Sequence, residues 1–148
     1  IKVHRRDAPI SREICEAASH FNLPVLYDVV DEVASIELFA RQYPKVNFII
    51  PHLGSFGDDW KAQLAITDHL VRHNNVFTDT SGVRRFDLLR HCFRRAGASK
   101  IIFGSDGPWL HPGVELSKVF FLKASSSDTE RMLSGNILSL IGVKSAAV

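Results

Sequence analysis

The sequence predicts an α/β fold with a parallel sheet, and three observations lead to this class. Short strand-like runs alternate with segments of helical spacing along all 148 residues. Two runs, Phe48-Ile49-Ile50 and Ile101-Ile102-Phe103, are apolar on both faces, as a sheet covered by helices requires. Each run also ends at or next to a histidine or an aspartate. The pattern predicts right-handed strand–helix–strand units within a single domain, residues 1–148.

The individual elements follow from the spacing of the apolar residues. Five runs are predicted as strands: Ile1–His4, Leu23–Asp28, Val46–His52, Asn75–Thr80 and Lys100–Asp106. The clearest helix follows the first run, and its apolar residues fit the i, i+3, i+4, i+7 rule: Ile14, Ala17, Ala18 and Phe21. Ser11 is placed to cap this helix, and Glu13 lies in its first turn.

Two later segments are predicted as helices from weaker signals. One carries a single apolar stripe made of Phe86, Leu89, Cys92, Phe93 and Ala96. Gly97 follows this stripe as the predicted stop. The other segment begins with a Ser-x-x-Glu capping box from Ser127 to Glu130. The tail from Val143 to Val148 is expected to fray.

Composition and charge exclude several classes of function. Hydrophobic residues make up 45% of the chain and charged residues 23%, which is typical of a globular domain that builds its own core. The net charge of +2 comes from 18 Lys and Arg against 16 Asp and Glu, without a long basic run, so nucleic-acid binding is not predicted. No apolar run approaches the ~18 residues that span a bilayer, so no membrane partner is predicted either.

The cysteines and the N-terminus indicate where the protein works and how much of it is present. Cys15 and Cys92 lie within helical patterns and not at a metal or redox spacing, which favours a reducing compartment. Because no leader pattern precedes them, we expect a cytoplasmic protein. The first residue is Ile1 and not Met, and Ile1–His4 already has the pattern of a strand. We therefore expect the C-terminal part of a longer protein.

The polar residues at the strand ends recur at a regular spacing. They are His4, Asp28, His52, Asp79 and Asp106, separated by 24, 24, 27 and 27 residues. In a parallel α/β fold these positions meet at the carboxyl edge of the sheet, where ligands bind. His52 and Asp106 are the strongest candidates for direct chemistry, because a tight turn presents one and a glycine-bounded loop the other. Asp79, before Thr80-Ser81-Gly82, is expected to hold a turn by side-chain hydrogen bonds.

Three stretches of the sequence together resemble the metal-dependent amidohydrolase superfamily. They are Val46–Gly54 with Pro51-His52-Leu53-Gly54, Asp79-Thr80-Ser81-Gly82, and Ile101–Pro108 with Gly104-Ser105-Asp106-Gly107-Pro108. The branch that the sequence resembles most is the amidohydrolase-related group that also holds aminocarboxymuconate-semialdehyde decarboxylase-like enzymes. The resemblance runs over nearly the whole chain in order and spacing.

The resemblance implies a (β/α)8 TIM barrel, of which this chain holds about units four to eight and lacks the N-terminal strands. In that family a His-x-His pair on the first strand, a His on the fifth, a His on the sixth and an Asp on the eighth surround a divalent metal, commonly zinc. The sixth-strand and eighth-strand ligands correspond to His52 and Asp106, and the first-strand pair has no counterpart. The fifth-strand position holds Asp28, a carboxylate that still binds zinc but favours manganese or magnesium.

The resemblance also implies roles for these residues. Asp106 and His52 are the predicted catalytic residues, and together with Asp28 they are the predicted metal ligands. Asp106 is expected to touch the metal and accept a proton from the attacking water. His52 is expected to polarise the substrate's carbonyl oxygen or to complete the metal shell.

Basic and aromatic side chains near the same edge suggest the kind of substrate. Arginine pairs follow the first and fourth runs and suit a small carboxylate-bearing substrate, although solvated arginines have the same pattern. The predicted substrate-binding residues are Arg84, Trp109 and His111. Four histidines within helical stretches are instead expected to be exposed on the surface: His20, His69, His73 and His91.

Three functions remain open from the sequence. The first is a metal-dependent hydrolase that attacks a C–N or C–O bond of a small substrate with activated water. The second is a non-oxidative decarboxylase that uses the same site. The third is a degenerate barrel that binds a ligand without catalysis, its metal site abandoned with the change to Asp28. Unpaired edges of the half-barrel are expected to make copies of the chain associate and to leave it little activity alone.

Overall fold

The structure, a computed structural model, describes residues 1–143, so the expectation for the tail beyond Val143 lies outside the described residues. Its centre is a five-stranded parallel sheet in the order β1-β2-β3-β4-β5. The strands are β1 (Lys2–His4), β2 (Val25–Asp28), β3 (Phe48–Ile50), β4 (Val76–Asp79) and β5 (Ile101–Ile102). Every strand therefore pairs with its neighbour in sequence, and the predicted parallel α/β fold is confirmed.

Helices connect the strands and cover one face of the sheet. They are α1 (Arg12–Phe21), α2 (Ile36–Gln42), α3 (Trp60–Arg72), α4 (Phe86–Ala96), α5 (Pro112–Phe121), α6 (Ser126–Glu130) and α7 (Asn136–Leu140). A π-helical turn, Arg131–Gly135, joins α6 to α7. Among residues 1–143, no helix combines the length and the apolar character needed to cross a membrane.

The strands are shorter than the sequence predicts, and the reason lies in the residues that follow them. The run Val46–His52 forms a strand only to Ile50, because Pro51 lacks an N–H and His52 takes a left-handed conformation. The run Lys100–Asp106 is paired only at Ile101–Ile102. The N–H of the next residue, Phe103, donates to the carbonyl of Met132 in the π-helical turn instead of to a strand.

The helix caps agree with the sequence at the first helix and differ at the sixth. The hydroxyl of Ser11 accepts from the N–H of Ile14 at 3.4 Å, as predicted. The capping box predicted from Ser127 is wrong, because the chain is already helical at that residue. Ser125 caps α6 instead and accepts from the N–H of Asp128 at 3.1 Å.

The alternation of side chains along the strands separates the core from the site. Strand residues that are fully buried against the helices are Val25, Phe48, Ile50, Val76 and Ile101. Their neighbours Leu26, Ile49 and Ile102 lie on the other face, where they line a cavity. The same alternation carries the side chains of β1 and β2, such as His4 and Asp28, to the cavity face. The helix-covered face holds the fold, and the opposite face forms the site.

Candidate active site

One cavity of about 900 Å³ collects all five polar residues that end the strand runs. They are His4, Asp28, His52, Asp79 and Asp106. They come from five successive strands or the loops after them, so the carboxyl edge of the sheet brings together groups that are far apart in sequence. The cavity mixes imidazole and carboxylate groups with an apolar floor of strand residues, which is the composition of a small-molecule site.

Three of these residues form a line across the first three strands. The Nε2 atom of His4 lies 3.5 Å from Oδ2 of Asp28. The same Oδ2 atom lies 3.8 Å from Nε2 of His52. The other carboxylate oxygen of Asp28 accepts the N–H of Val30 at 2.9 Å, which fixes the direction of the carboxylate. Asp28 therefore presents Oδ2 to two imidazoles from neighbouring strands.

The hydrogen bonds of His52 assign its tautomer. Its Nδ1 atom lies 2.8 Å from the carbonyl oxygen of Ser81 and 2.9 Å from the Ser81 hydroxyl. A carbonyl only accepts, and the hydroxyl already donates to Asp79 Oδ1 at 2.7 Å, so Nδ1 must carry the proton. In the neutral ring, Nε2 then offers its lone pair toward Asp28. Ser81 acts as the group that orients His52.

Asp79 holds both His52 and Ser81 in place by hydrogen bonds. Its Oδ1 atom accepts the backbone N–H of His52 at 3.0 Å and the N–H of Ser81 at 3.0 Å, besides the Ser81 hydroxyl. Burial raises the pKa of Asp79 above its ordinary value, and the hydrogen bonds from Ser81 and His52 oppose this shift. The turn predicted after Asp79 is confirmed, and it also holds the imidazole in place.

The backbone after β3 is held in an unusual conformation. His52 and Leu53 have φ angles of 59° and 53°, in the left-handed region that residues other than glycine rarely occupy. Leu53 is fully buried, while the ring of His52 faces the cavity. The φ of Asp106 is 50°, so the two predicted catalytic residues share this conformation. Such conformations cost about 1–3 kcal/mol each and cluster at functional sites.

A buried ion pair packs under the Ser81 turn. The carboxylate of Glu115 on α5 accepts the N–H of Gly82 at 2.8 Å and lies 2.7 Å from Nζ of Lys118. A Cβ atom built at Gly82 would lie 2.7 Å from the ring of Phe56, which packs edge-on against His52 at 5.0 Å between centroids. The turn that holds His52 is therefore tightly enclosed, and residue 82 must be a glycine because there is no room for a Cβ atom.

The predicted substrate-binding residues have different positions. Trp109 lines the cavity rim and is 85% exposed. Arg84 is not among the lining residues, since its guanidinium pairs with Asp58 and donates to the carbonyl of Phe56 at 2.7 Å. His111 also lies outside the lining, because it caps α5 and its Nδ1 accepts from the N–H of Gly113 at 3.1 Å. Of these three, only Trp109 is placed to meet a ligand in this conformation.

A lysine of β1 and an arginine in the turn after it line the cavity, where Arg84 does not. Lys2 and Arg6 both line it, beside His4. Lys2 and His4 are two residues apart on β1 and so share a face. These cations are the structure's candidates for holding an anionic group of a substrate.

The predicted metal ligands fit a divalent cation by their chemistry. Nε2 of His52 and Oδ2 of Asp28 are two electron-pair donors that face each other at 3.8 Å when the His52 ring is neutral. Imidazole and carboxylate are ligands of zinc and manganese. Within residues 1–143, Asp28, His52 and Asp106 do not form a group whose ligand atoms all lie within 4.8 Å of one another. The role of Asp106 as a ligand stays a prediction.

The expectation that the four helical histidines are exposed holds for His20 only, since His91 is half-buried and the other two are buried further. His69 is only 5% exposed, and the side chain of His73 is 11% exposed. Both project from α3 toward Glu37 on α2, and the three residues form the compact group of potential metal ligands in the described part of the chain. This group lies in the helix layer and shares no residue with the cavity. The i, i+4 spacing of the two histidines was the available signal in the sequence.

The fold and the site together define a class: a parallel α/β protein with imidazole and carboxylate groups at the carboxyl edge of its strands. The sequence profile of the family described as amidohydrolase matches residues 2–143. The chain belongs to the amidohydrolase family, and the resemblance seen in the sequence is confirmed. None of the curated proteins matches the chain.

Solved structures similar to the chain include hydrolase-type and decarboxylase relatives. An amidohydrolase from Burkholderia multivorans with bound zinc has a TM-score of 0.73 at 13% identity, covering 90% of this chain and 58% of its own. A 5-carboxyvanillate decarboxylase from Sphingomonas paucimobilis has a TM-score of 0.69 at 15% identity, covering 94% and 55%. A dihydroxybenzoic acid decarboxylase from a Polaromonas species, with bound manganese and an inhibitor, has a TM-score of 0.64 at 16% identity, covering 92% and 55%.

These similarities support the partial barrel. The chain spans a little over half the length of each of the three structures, 55–58%. Five parallel strands with surrounding helices are what part of a (β/α)8 barrel contains, so the predicted fold is confirmed at this level.

Proposed function

We propose that the protein is a metal-dependent hydrolase of the amidohydrolase type, acting on a C–N or C–O bond of a small substrate. The observation that carries the proposal is the facing pair of His52 Nε2 and Asp28 Oδ2, 3.8 Å apart, with the proton of His52 held on the opposite nitrogen by Ser81. A divalent metal bound there, zinc or alternatively manganese or magnesium, would supply Lewis acidity toward a carbonyl and toward water. Bound zinc and manganese in similar structures support this choice.

The chain's own residues then have distinct tasks. Asp106, half-buried at the cavity, accepts the proton that the attacking water loses. His52, oriented by Ser81, directs its free nitrogen at the cation site. Lys2 and Arg6 hold an anionic group of the substrate at the β1 side, and Trp109 covers the rim. A cytoplasmic location remains part of the proposal, supported by two buried free thiols, Cys15 and Cys92.

A second candidate is non-oxidative decarboxylation in the same cavity. Lys2 and Arg6 give the site a place for a carboxylate, and two of the similar structures are decarboxylases of carboxylated phenols. In this reaction the bond between a ring carbon and the carboxylate breaks, and the electron pair of the bond stays on the ring carbon. This carbon then takes up a proton from Asp106. The products are carbon dioxide and the same ring with hydrogen in place of the carboxylate.

One assay series distinguishes these candidates. The full-length protein is purified and incubated with zinc or manganese and with two substrate panels. One panel holds amides and lactones, followed by acid release, and the other holds hydroxylated benzoates, followed by carbon dioxide release. Hydrolysis that stops with a chelator and falls about 10²-fold or more in Asp106→Asn supports the first candidate. Carbon dioxide release that depends on the metal and on Asp106 in the same way supports the second candidate instead.

Asp87→Asn is the matched control, since Asp87 is an exposed carboxylate that pairs with Arg85 and does not line the cavity. It is expected to keep full activity. A folded protein that binds no metal and is indifferent to Asp106→Asn in every assay would contradict both candidates and leave the non-catalytic barrel.

A further inference from the structure

We propose that Glu37, His69 and His73 form a second divalent metal site, for zinc or a similar transition metal, in the helix layer outside the cavity. The three residues each offer a ligand atom, and these atoms all lie within 4.8 Å of one another. Two imidazoles and a carboxylate are a zinc ligand set, with water completing the tetrahedron. The site is separate from the proposed active site, because no residue is common to the two.

The distances within the group match those around a small cation. Oε2 of Glu37 lies 2.9 Å from Nε2 of His73 and 3.8 Å from Nδ1 of His69. Two ligand atoms about 2.0–2.1 Å from a tetrahedral zinc are about 3.3 Å apart, and the observed values bracket this separation. The third pair, Nδ1 of His69 and Nε2 of His73, lies within 4.8 Å, so small rotations of the side chains would bring the three atoms around one ion.

An unpartnered buried nitrogen is the independent observation that points to a ligand. Nδ1 of His69 is buried and has no hydrogen-bond partner among residues 1–143. It faces the Glu37 carboxylate at 3.8 Å, which is too long for a hydrogen bond. A buried polar atom left without a partner costs about 1–3 kcal/mol. A cation bound by His69, Glu37 and His73 would give this nitrogen its missing partner.

The elements that carry the three residues are positioned for a shared ion. His69 and His73 are four residues apart at the C-terminal end of α3, so they lie on one face of the helix, with their rings nearly parallel at 15° and 5.9 Å between centroids. Glu37 comes from the first turn of α2. The backbone carbonyl of His73 accepts from Nζ of Lys100, immediately before β5, which places the group toward the amino edge of the sheet. A bound ion would crosslink α2 to α3.

The surrounding charges leave room for a cation. Arg41 and Arg72 lie 3.5 Å and 3.8 Å from Glu37, but their side chains are 74% and 58% exposed and can turn into solvent. Asp68, the remaining acidic group near the end of α3, pairs with Arg95 at 3.0 Å. Burial lowers the pKa of His69, which favours the neutral imidazole that a metal requires.

Metal titration of the chelator-treated protein tests the proposal. Cobalt(II) is added and followed by its visible absorption, and zinc is then used to displace it. Wild type is expected to bind one equivalent of cobalt at this site. The affinity is expected to fall about tenfold or more in Glu37→Gln and in His73→Gln, because even the loss of a residue that only supports a metal ligand has an effect of this size. Zinc is also expected to raise the Tm of wild type by more than that of His73→Gln, which keeps only the cavity site.

Two controls separate this site from the cavity and from histidines in general. His20→Gln removes an exposed helical histidine elsewhere and is expected to bind cobalt like wild type. Asp106→Asn removes a cavity carboxylate and is expected to retain the equivalent assigned to Glu37 and His73. If His69→Gln does not fold, the variants of the more exposed Glu37 and His73 still decide the outcome. Cobalt binding that is equal in wild type, Glu37→Gln and His73→Gln would overturn the proposal.

Discussion

Asp79 is the single residue on which the geometry of the cavity most depends. Its Oδ1 atom accepts three hydrogen bonds, and they join the end of β4 to the turn after β3. The same carboxylate is 7% exposed, so its charge is far from water. Asp79 therefore orders His52 through Ser81, and burying its charge opposes folding.

The stability of Asp79→Asn relative to wild type is expected to increase as the pH rises from acid to neutral. The pKa of Asp79 is raised on folding, so the folded state binds this proton more tightly than the unfolded state. The stability of wild type falls as the pH rises from the unfolded pKa through the folded one, and the amide, which keeps the Oδ1 acceptor, lacks this loss. Urea unfolding at a series of pH values, in chelator, measures the difference.

Asp87→Asn is the control with the opposite sign. The hydrogen bond from Arg85 lowers the pKa of Asp87, so this carboxylate contributes stability above its unfolded pKa that is lost as the pH falls. The stability of Asp87→Asn relative to wild type is expected to decline slightly as the pH rises. If Asp79→Asn shows the same trend as Asp87→Asn, the assignment of Asp79 as a buried, costly charge is wrong.

Gly104→Ala is expected to destabilise the protein by about 1–3 kcal/mol, through overpacking. A Cβ atom there would lie 2.9 Å from Oδ2 of Asp79 and 3.1 Å from Cβ of Ser81, and Asp79 is held by its hydrogen bonds. Gly57→Ala is the control, since a Cβ there meets nothing within 4 Å. Equal denaturation midpoints for the two variants would show that the Asp79 side chain moves freely.

At the scale of elements, the N-terminal cap of α3 supports a prediction about stability. The carboxylate of Asp59 accepts the N–H groups of Lys61 and Ala62 at 2.8 Å and 3.1 Å. Asp59→Ala is expected to cost about 1 kcal/mol, whereas Asp59→Asn keeps the acceptor and should cost little. Urea denaturation with an unchanged m-value measures both. Identical midpoints for the two variants would mean that the cap contributes nothing.

The elements also define how far the sequence predicts the structure. The five strands and the convergence of their polar ends follow from spacing, because the carboxyl ends of parallel strands share one edge. The early end of β3 and the left-handed conformation of His52 do not follow from the spacing, because tertiary hydrogen bonds to Asp79 and Ser81 hold that turn. Such contacts join residues 27 to 29 positions apart.

The burial of His69 and His73 could not be predicted from α3 alone. A helical pattern shows which residues share a face but not what packs against it. The helix that packs against His69 and His73 is α2, which has only seven residues. Its weak sequence pattern does not predict that Glu37 faces α3. The position of Arg84 depends on a similar contact, since Asp58, 26 residues earlier, pairs with it at the surface.

At the scale of the whole molecule, copies of the chain are expected to associate. In the described residues, β1 and β5 each have a strand on one side only. The outer edge of β5 is partly satisfied, because the carbonyl of Ile101 accepts from Nδ2 of Asn136 at 2.7 Å and the N–H of Phe103 donates to Met132, whereas β1 leaves an edge to which a further strand can pair. Sedimentation velocity over a range of protein concentrations is expected to show an average mass that rises with concentration. A single species of monomer mass at every concentration would contradict this expectation.

The number of strands limits what such association can build. Closure into the eight-stranded cylinder of this fold requires three strands beyond the five described, whereas a pair of chains joined edge to edge would contribute ten. A ring of ten strands has a wider bore, because barrel diameter grows with strand number. Self-assembly therefore cannot recreate the eight-stranded geometry, which needs three further parallel strands between β5 and β1.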